Sequence, residues 1–144
     1  EFQQALRPEL DAFTPHQAID VVREVLPHDG ILAFDVGAHT HQIASQWTVH
    51  VHHTFLITNG WSSMGFGLPA AIAAKLARPE AHVVCVLGDG CFQMTLNEMS
   101  TAAQHGAAPI VIVCNNGRYG TIRMHQEKRY PGRISGTDLV NPDF

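Results

Sequence analysis

Short apolar runs separated by helix-like segments constrain this chain more than any other feature. Ile31-Leu32-Ala33-Phe34, Phe55-Leu56-Ile57-Thr58, His82-Val83-Val84-Cys85-Val86-Leu87 and Pro109-Ile110-Val111-Ile112-Val113-Cys114 are four such runs, with almost no polar alternation inside them. Runs of that kind read as strands covered on both faces. Between them lie helical patterns. Thr14-Pro15-His16-Gln17 has the N-cap, the first-turn proline and the glutamine of a capping box. Ile19, Val22, Val25 and Leu26 continue as an apolar stripe that Pro27 ends. Ile43 to Trp47 predicts a short helix, Leu68 to Leu76 an alanine-rich one suited to close packing, and Thr95 to His105 a third. That third helix places Leu96, Met99 and Ala103 inward and is capped by Gly106. Strands alternating with helices imply right-handed crossovers, a parallel sheet and helices on both of its faces, an α/β fold. Beyond Arg118 the chain turns polar and loop-like, through Tyr130-Pro131-Gly132-Arg133 to Asn141-Pro142-Asp143-Phe144. It stops without a closing helix and reads as a piece of a longer chain.

The 144 residues suit one domain, and 45% hydrophobic residues suffice for a core. Charged residues make up 15%, against about 25% in typical domains. So thin a charge suggests surface covered by another domain or subunit. A net charge of −4 removes the electrostatic footprint of a nucleic-acid binder. Arg118, Arg123, Lys128, Arg129 and Arg133 gather the basic residues near the C-terminus. No apolar stretch approaches the ~20 residues of a membrane span, and the N-terminus shows no signal-peptide pattern. The three cysteines, Cys85, Cys91 and Cys114, are odd in number and form no C-x-x-C pair. A reducing, cytoplasmic setting is expected, with Cys85 and Cys114 as buried small hydrophobes.

Ligands of open parallel sheets sit beyond the carboxyl ends of the strands. Glycines and small polar residues collect there in this chain. They are Asp35-Val36-Gly37-Ala38-His39, Asn59 to Met64, Gly88-Asp89-Gly90-Cys91 and Asn115-Asn116-Gly117-Arg118. Glycines let backbone come close to a ligand. Residues 91 to 114, 24 positions holding one helix and one strand, separate Gly90 from Asn115-Asn116. Both sites therefore return to the same sheet edge. One carboxylate and one amide oxygen, with backbone carbonyls, water and phosphate oxygens, complete an octahedral Mg²⁺ site. Such a cation would bridge a diphosphate, and amides near Gly90 and Cys91 could donate to phosphate.

Gly-Asp-Gly followed after that interval by Asn-Asn resembles the diphosphate-binding motif of thiamine-diphosphate enzymes. Gly60-Trp61-Ser62-Ser63-Met64-Gly65-Phe66-Gly67-Leu68-Pro69-Ala70-Ala71 resembles the segment that grips the aminopyrimidine. Asn141-Pro142-Asp143-Phe144 resembles the acetolactate synthase group. The resemblance implies a linker over 1–13 and a diphosphate- and magnesium-binding domain over 14–144, cut short at its C-terminus. It implies Mg²⁺ ligands from the side chains of Asp89 and Asn116 and the carbonyl of Arg118. It places Gly37, Ala38, His39, Gly88, Gly90 and Cys91 along the diphosphate. Met64 would be the wedge that bends thiamine diphosphate, and the Ser62 carbonyl would accept from the cofactor's amino group. Tyr119, Gly120 and Thr121 would lie beside the thiazolium and the substrate. The implied reaction is decarboxylation of a 2-oxo acid, followed by protonation or by addition to a second carbonyl. A simple decarboxylase of the benzoylformate or indolepyruvate type is the alternative. The activating glutamate is expected from a separate pyrimidine-binding domain of the same or another subunit, in a homodimer or homotetramer. Neither Glu98 nor Glu127 matches that role, so the chain alone is expected to be inactive, a cofactor-binding or assembly domain by itself. An FAD site, found in some relatives, would lie outside this segment.

Two rival patterns remain at this level. Gly65-Phe66-Gly67-Leu68-Pro69-Ala70 fits the dinucleotide fingerprint G-x-G-x-x-A, and Asp89 follows 19 positions after Ala70. Against it, Asn59 to Met64 separate the strand from the first glycine, and Pro69 occupies the phosphate turn. The ten histidines, with His39-Thr40-His41 and His50-Val51-His52-His53 among them, suggest a zinc site. The second cluster reads more simply as solvated loop histidines.

Overall fold

Thr14 begins the first helix as its neighbours require. In the computed structural model, which describes residues 13–144, its hydroxyl accepts from the Gln17 N–H at 3.3 Å, and the Gln17 side chain accepts from the Thr14 N–H at 2.8 Å. The expected 1–13 linker, Phe13 apart, lies outside the described residues. Helix α1 spans Pro15–Val25. Strand β1 (Ile31–Phe34), helix α2 (Ala38–Gln46), strand β2 (Phe55–Leu56) and helix α3 (Gly67–Ala77) follow. Then come β3 (Val83–Gly88), α4 (Asp89–Thr95), α5 (Glu98–Gln104), β4 (Ile110–Cys114) and α6 (Gly120–Arg129).

The four strands form one parallel sheet in the order β2-β1-β3-β4. Leu32 pairs with Phe55, Ile31 with Val83, and Val84 with Ile110. Side chains of a strand alternate between faces, and both faces here are apolar. Leu32, Phe34, Val84 and Val86 pack against Ile19 and Leu26 of the α1 region and Ile43 and Trp47 of the α2 region. Ile31, Ala33, Val83, Cys85 and Leu87 pack on the other side with Ala71 of α3 and Cys91 of α4. Leu68 and Ile72 extend that side toward Ala102 of α5. The expected α/β architecture with helices on both faces is the one observed. Among the described residues no helix is long and apolar enough to cross a membrane.

Several local expectations are corrected. Val25 does not join the buried stripe of α1; it is 77% exposed. Helix α2 starts at Ala38 rather than Ile43, because the Thr40 hydroxyl caps its entry by accepting from the Gly37 N–H at 2.9 Å. Strand β2 ends at Leu56, as befits an edge strand with one neighbour. The segment expected as one helix from Thr95 to His105 is two. Strand β3 passes directly into α4, and i→i+3 bonds from Met99 to Leu96 and from Ser100 to Asn97, both 3.0 Å, tighten the chain before α5. A tightened turn rotates the inward face. Leu96, Met99 and Ala103 are therefore exposed, and Ala102 is the buried residue. Past Arg118 a helix forms where a loop was expected. None of its residues is buried, so no apolar stripe announces it. It is held by Arg123, which bonds Glu127 at 2.9 Å and Asp138 at 2.7 Å, and by Gln126, which bonds the Ser135 backbone in both directions.

Candidate functional site

The sheet reverses its direction of growth beside β1. The chain runs outward from β1 to β2, then crosses back to lay β3 on the other side of β1. The carboxyl ends of β1 and β3 thus flank a crevice at the switch point, where open α/β sheets bind ligands.

Asp35 follows β1 directly and is fully buried. Its Oδ1 accepts from the Val36 and Gly65 N–H groups at 2.8 and 3.1 Å, and its Oδ2 from the Gly67 N–H at 2.7 Å. The loop before α3 is thereby fastened to the end of β1. A Cβ on Gly67 would lie 3.1 Å from the Asp35 nitrogen, so any side chain here would press on that backbone. The same bonds answer the dinucleotide reading: the amides of Gly65 and Gly67 are committed to Asp35 and do not face a phosphate. Just upstream, Ser62 holds a left-handed φ of 50°.

His39 sits in the first turn of α2, buried, and its Nε2 has no hydrogen-bond partner. Burial lowers its pKa, and the Asp35 carbonyl and carboxylate offset this in part. The ring is therefore biased toward the neutral form. The Thr40 hydroxyl donates to the Asp35 carbonyl at 2.8 Å, fixing the strand-to-helix turn.

Asp89 opens α4 and is 1% exposed. Its Oδ2 accepts from the Gly117 N–H at 3.0 Å and from the Asn141 amide at 2.6 Å. No bond among the described residues falls on Oδ1. Gly90 follows with no room for a side chain, since a Cβ would lie 2.5 Å from the Tyr119 ring. The Cys91 thiol donates to the Val36 carbonyl at 3.1 Å. Burial, then the Asp35 charge, pushes its pKa up to about 12, so it stays a thiol. Beyond β4, the Asn116 Oδ1 accepts only a long bond, 3.2 Å, from the Arg118 N–H.

Every site residue named from the sequence lines a single cavity of about 590 Å³. Gly37, Ala38 and His39 come from the end of β1, and Ser62 and Met64 from the loop after β2. Gly88, Asp89, Gly90 and Cys91 come from the end of β3; Asn116, Arg118, Tyr119, Gly120 and Thr121 come from the end of β4. The residues present fit a diphosphate with a hard cation. His39 Nε2 and Thr121 Oγ1 are buried polar atoms without partners on the cavity wall. Asp89 Oδ1, the Asn116 amide and the Arg118 carbonyl offer oxygen only, the donor type that suits Mg²⁺ rather than zinc. Among the described residues no group of three His, Cys, Asp or Glu side chains could hold a metal. The zinc reading therefore has no cluster behind it; His28 and His50 instead stack ring on ring at 3.9 Å.

Two participants escaped the sequence reading. Asp35 was noted at a strand end but not as a clamp, since its partners lie 30 and 32 residues away. Asn141 was noted only within a motif, yet it touches Asp89 and Asn115. Glu98 is occupied by Asn97 and Thr101, and Glu127 by Arg123; neither lines the cavity.

Comparison with known proteins places the chain among its relatives. Residues 35–144 match the family described as thiamine pyrophosphate enzyme, C-terminal TPP binding domain. The mitochondrial catalytic subunit of acetolactate synthase from Saccharomyces cerevisiae is 41% identical over 114 residues, which are 79% of this chain and 17% of that protein. The acetolactate synthase large subunit of Haemophilus influenzae is 39% identical over 132 residues, 90% of this chain and 23% of that protein. A solved Rhodococcus jostii RHA1 thiamine diphosphate-dependent 4-hydroxybenzoylformate decarboxylase superposes with a TM-score of 0.83 at 28% identity, over 96% of this chain and 27% of that one. The chain spans about a fifth of the length of these curated relatives.

Proposed function

Because this chain belongs to the thiamine pyrophosphate enzymes, as their C-terminal cofactor-binding domain, we propose that it carries the diphosphate half of an active site for 2-oxo acid decarboxylation and carboligation. The observation that carries this reading is the convergence of four strand-end segments on one cavity, with Asp89 Oδ1 and the Asn116 amide at the same edge. Bound thiamine diphosphate supplies an electron sink for cleaving the bond between the carbonyl carbon and the carboxylate of a 2-oxo acid.

The chain's own residues bind and orient. Asp89, Asn116 and the Arg118 carbonyl would hold Mg²⁺, which would offset the charge of a diphosphate. His39 and the backbone around Gly37 and Ala38, at the start of the nine-residue helix α2, face the phosphate oxygens. Met64, packed against the core on the α3 side, would lie against the bound cofactor, and Ser62 would offer its carbonyl to the aminopyrimidine. Gly90 lets the Tyr119 ring close over the α4 start, and Thr121 lies on the cavity wall with its buried hydroxyl unpaired. Positioning and fixed dipoles are the protein's share of such catalysis. The activating carboxylate comes from a pyrimidine-binding domain of the same or another subunit, in a homodimer or homotetramer. The chain alone is then inactive. Three free thiols favour a reducing, cytoplasmic setting. The acetolactate synthase relatives support carboligation. The decarboxylase superposition supports a second reading, decarboxylation with protonation.

Calorimetric titration of thiamine diphosphate tests the reading, first with Mg²⁺ and then with EDTA. Binding that EDTA abolishes is expected. Absence of Mg²⁺-dependent binding in the complete parent protein would overturn it, and product analysis with a 2-oxo acid separates carboligation from simple decarboxylation.

A further inference from the structure

We infer that Asn141 is a positioning residue that sets the cation-binding geometry of Asp89, an inference that rests on the reading above. Its amide joins the two loops that hold the proposed ligands. Nδ2 donates to Asp89 Oδ2 at 2.6 Å and to Asn115 Oδ1 at 2.7 Å, and Oδ1 accepts from Gln93 Nε2 at 2.7 Å. The orientation is forced. A carboxylate only accepts, so the NH₂ group must face Asp89. Asn115 must then present its oxygen and Gln93 its nitrogen. A flipped Asn141 would set oxygen against oxygen at two contacts.

The consequence falls on Asp89. With Asn141 and the Gly117 N–H both on Oδ2, the carboxylate cannot rotate without breaking two bonds, and Oδ1 is held for a cation. Asn115 is fixed by the same amide, beside the proposed ligand Asn116. The segment carrying Asn141 is anchored on either side. The Leu139 N–H donates to the Gly117 carbonyl at 2.8 Å, and Phe144 meets Phe92 of α4 edge-on at 5.4 Å. The Asn141-Pro142-Asp143-Phe144 motif thus straps α4 to the loop after β4. Partners behind the ligands typically govern 10- to 100-fold in metal affinity.

The test uses the complete parent protein with thiamine diphosphate present, and reads Mg²⁺ affinity by calorimetry and melting temperature with Mg²⁺ or EDTA. Asn141→Leu keeps the branched outline and removes the amide's three hydrogen bonds. Its Kd for Mg²⁺ should rise about 10- to 100-fold, and the melting increment that Mg²⁺ adds should shrink. A merely structural role would lower the melting temperature equally in Mg²⁺ and EDTA. Gln93→Ala, an exposed change that removes only the orienting donor, should weaken Mg²⁺ binding in the same direction by a smaller factor, and it serves if Asn141→Leu does not fold. Unchanged Mg²⁺ affinity in the folded variants, with the wild type binding normally, would overturn the role of Asn141 alone. A wild type without EDTA-sensitive cofactor binding would overturn the proposed function, and this inference with it.

Discussion

Asp35 and Asp89 occupy equivalent places: each is buried and each directly follows one of two adjacent parallel strands. Their hydrogen bonds separate them. Asp35 accepts three backbone N–H groups spread over both oxygens and fastens the loop before α3 to the sheet. Asp89 takes its bonds on Oδ2, leaves Oδ1 without one among the described residues, and lines the cavity. A saturated carboxylate serves the fold, whereas one with an unused oxygen can serve a ligand. Burial alone does not distinguish them; the count and placement of donors does.

The largest effect expected from this contrast is on stability. Asp35→Ala would strand the buried amides of Gly65 and Gly67, at about 1–3 kcal/mol each, so urea unfolding should show a loss of roughly 4 kcal/mol. Asp89→Asn keeps an acceptor for Gly117 and should cost only about 1 kcal/mol in EDTA. It should nonetheless weaken Mg²⁺-dependent cofactor binding by more than about 100-fold, beyond what partners behind the ligands govern. Equal stability losses in the two variants would break the comparison.

Gly67→Ala sharpens the Asp35 side. Its Cβ would press on the Asp35 nitrogen at 3.1 Å and on Oδ2 at 3.2 Å. Overpacking of this kind costs about 1–3 kcal/mol, readable as a shifted urea midpoint with an unchanged slope. The smallest effect concerns pH. His39, in the first turn of α2, has its folded pKa lowered below the ordinary 6.5 by burial. The unfolded chain then binds the extra proton more readily. Stability is full above about pH 6.5 and falls as the pH drops below it, by at most about 1.4 kcal/mol per unit for one proton. His39→Gln should flatten that part of a melting-temperature profile. The exposed His50 is also lowered, by desolvation, His28 and Arg23, so a residual slope is expected.

The sheet was legible because its strands are short apolar runs punctuated by glycine and small polar residues. The central strands β1 and β3 are buried along nearly their whole length, as such runs require. The capping box at Thr14 and the left-handed Gly106 were legible for a similar reason, since caps are local chemistry. Helix α6 was not, because it buries nothing and its support from Asp138 and Ser135 comes from residues 15 and 9 positions distant. The split between α4 and α5 was missed because its signal is a pair of i→i+3 backbone bonds rather than a residue type.

By itself the sequence determined the α/β class and the strand ends to examine, which are properties of hydrophobic patterning and of motifs with fixed spacing. Its resemblance to thiamine-diphosphate enzymes added fourteen residues that lie on the cavity wall. Tertiary structure alone decided what each polar group does there. Asp35 became a clamp through amides 30 and 32 residues away, and Asn141 reached Asp89 across 52 positions. Hydrogen bonds over such distances depend on where the packed sheet brings the loops, and no local pattern of residues encodes that.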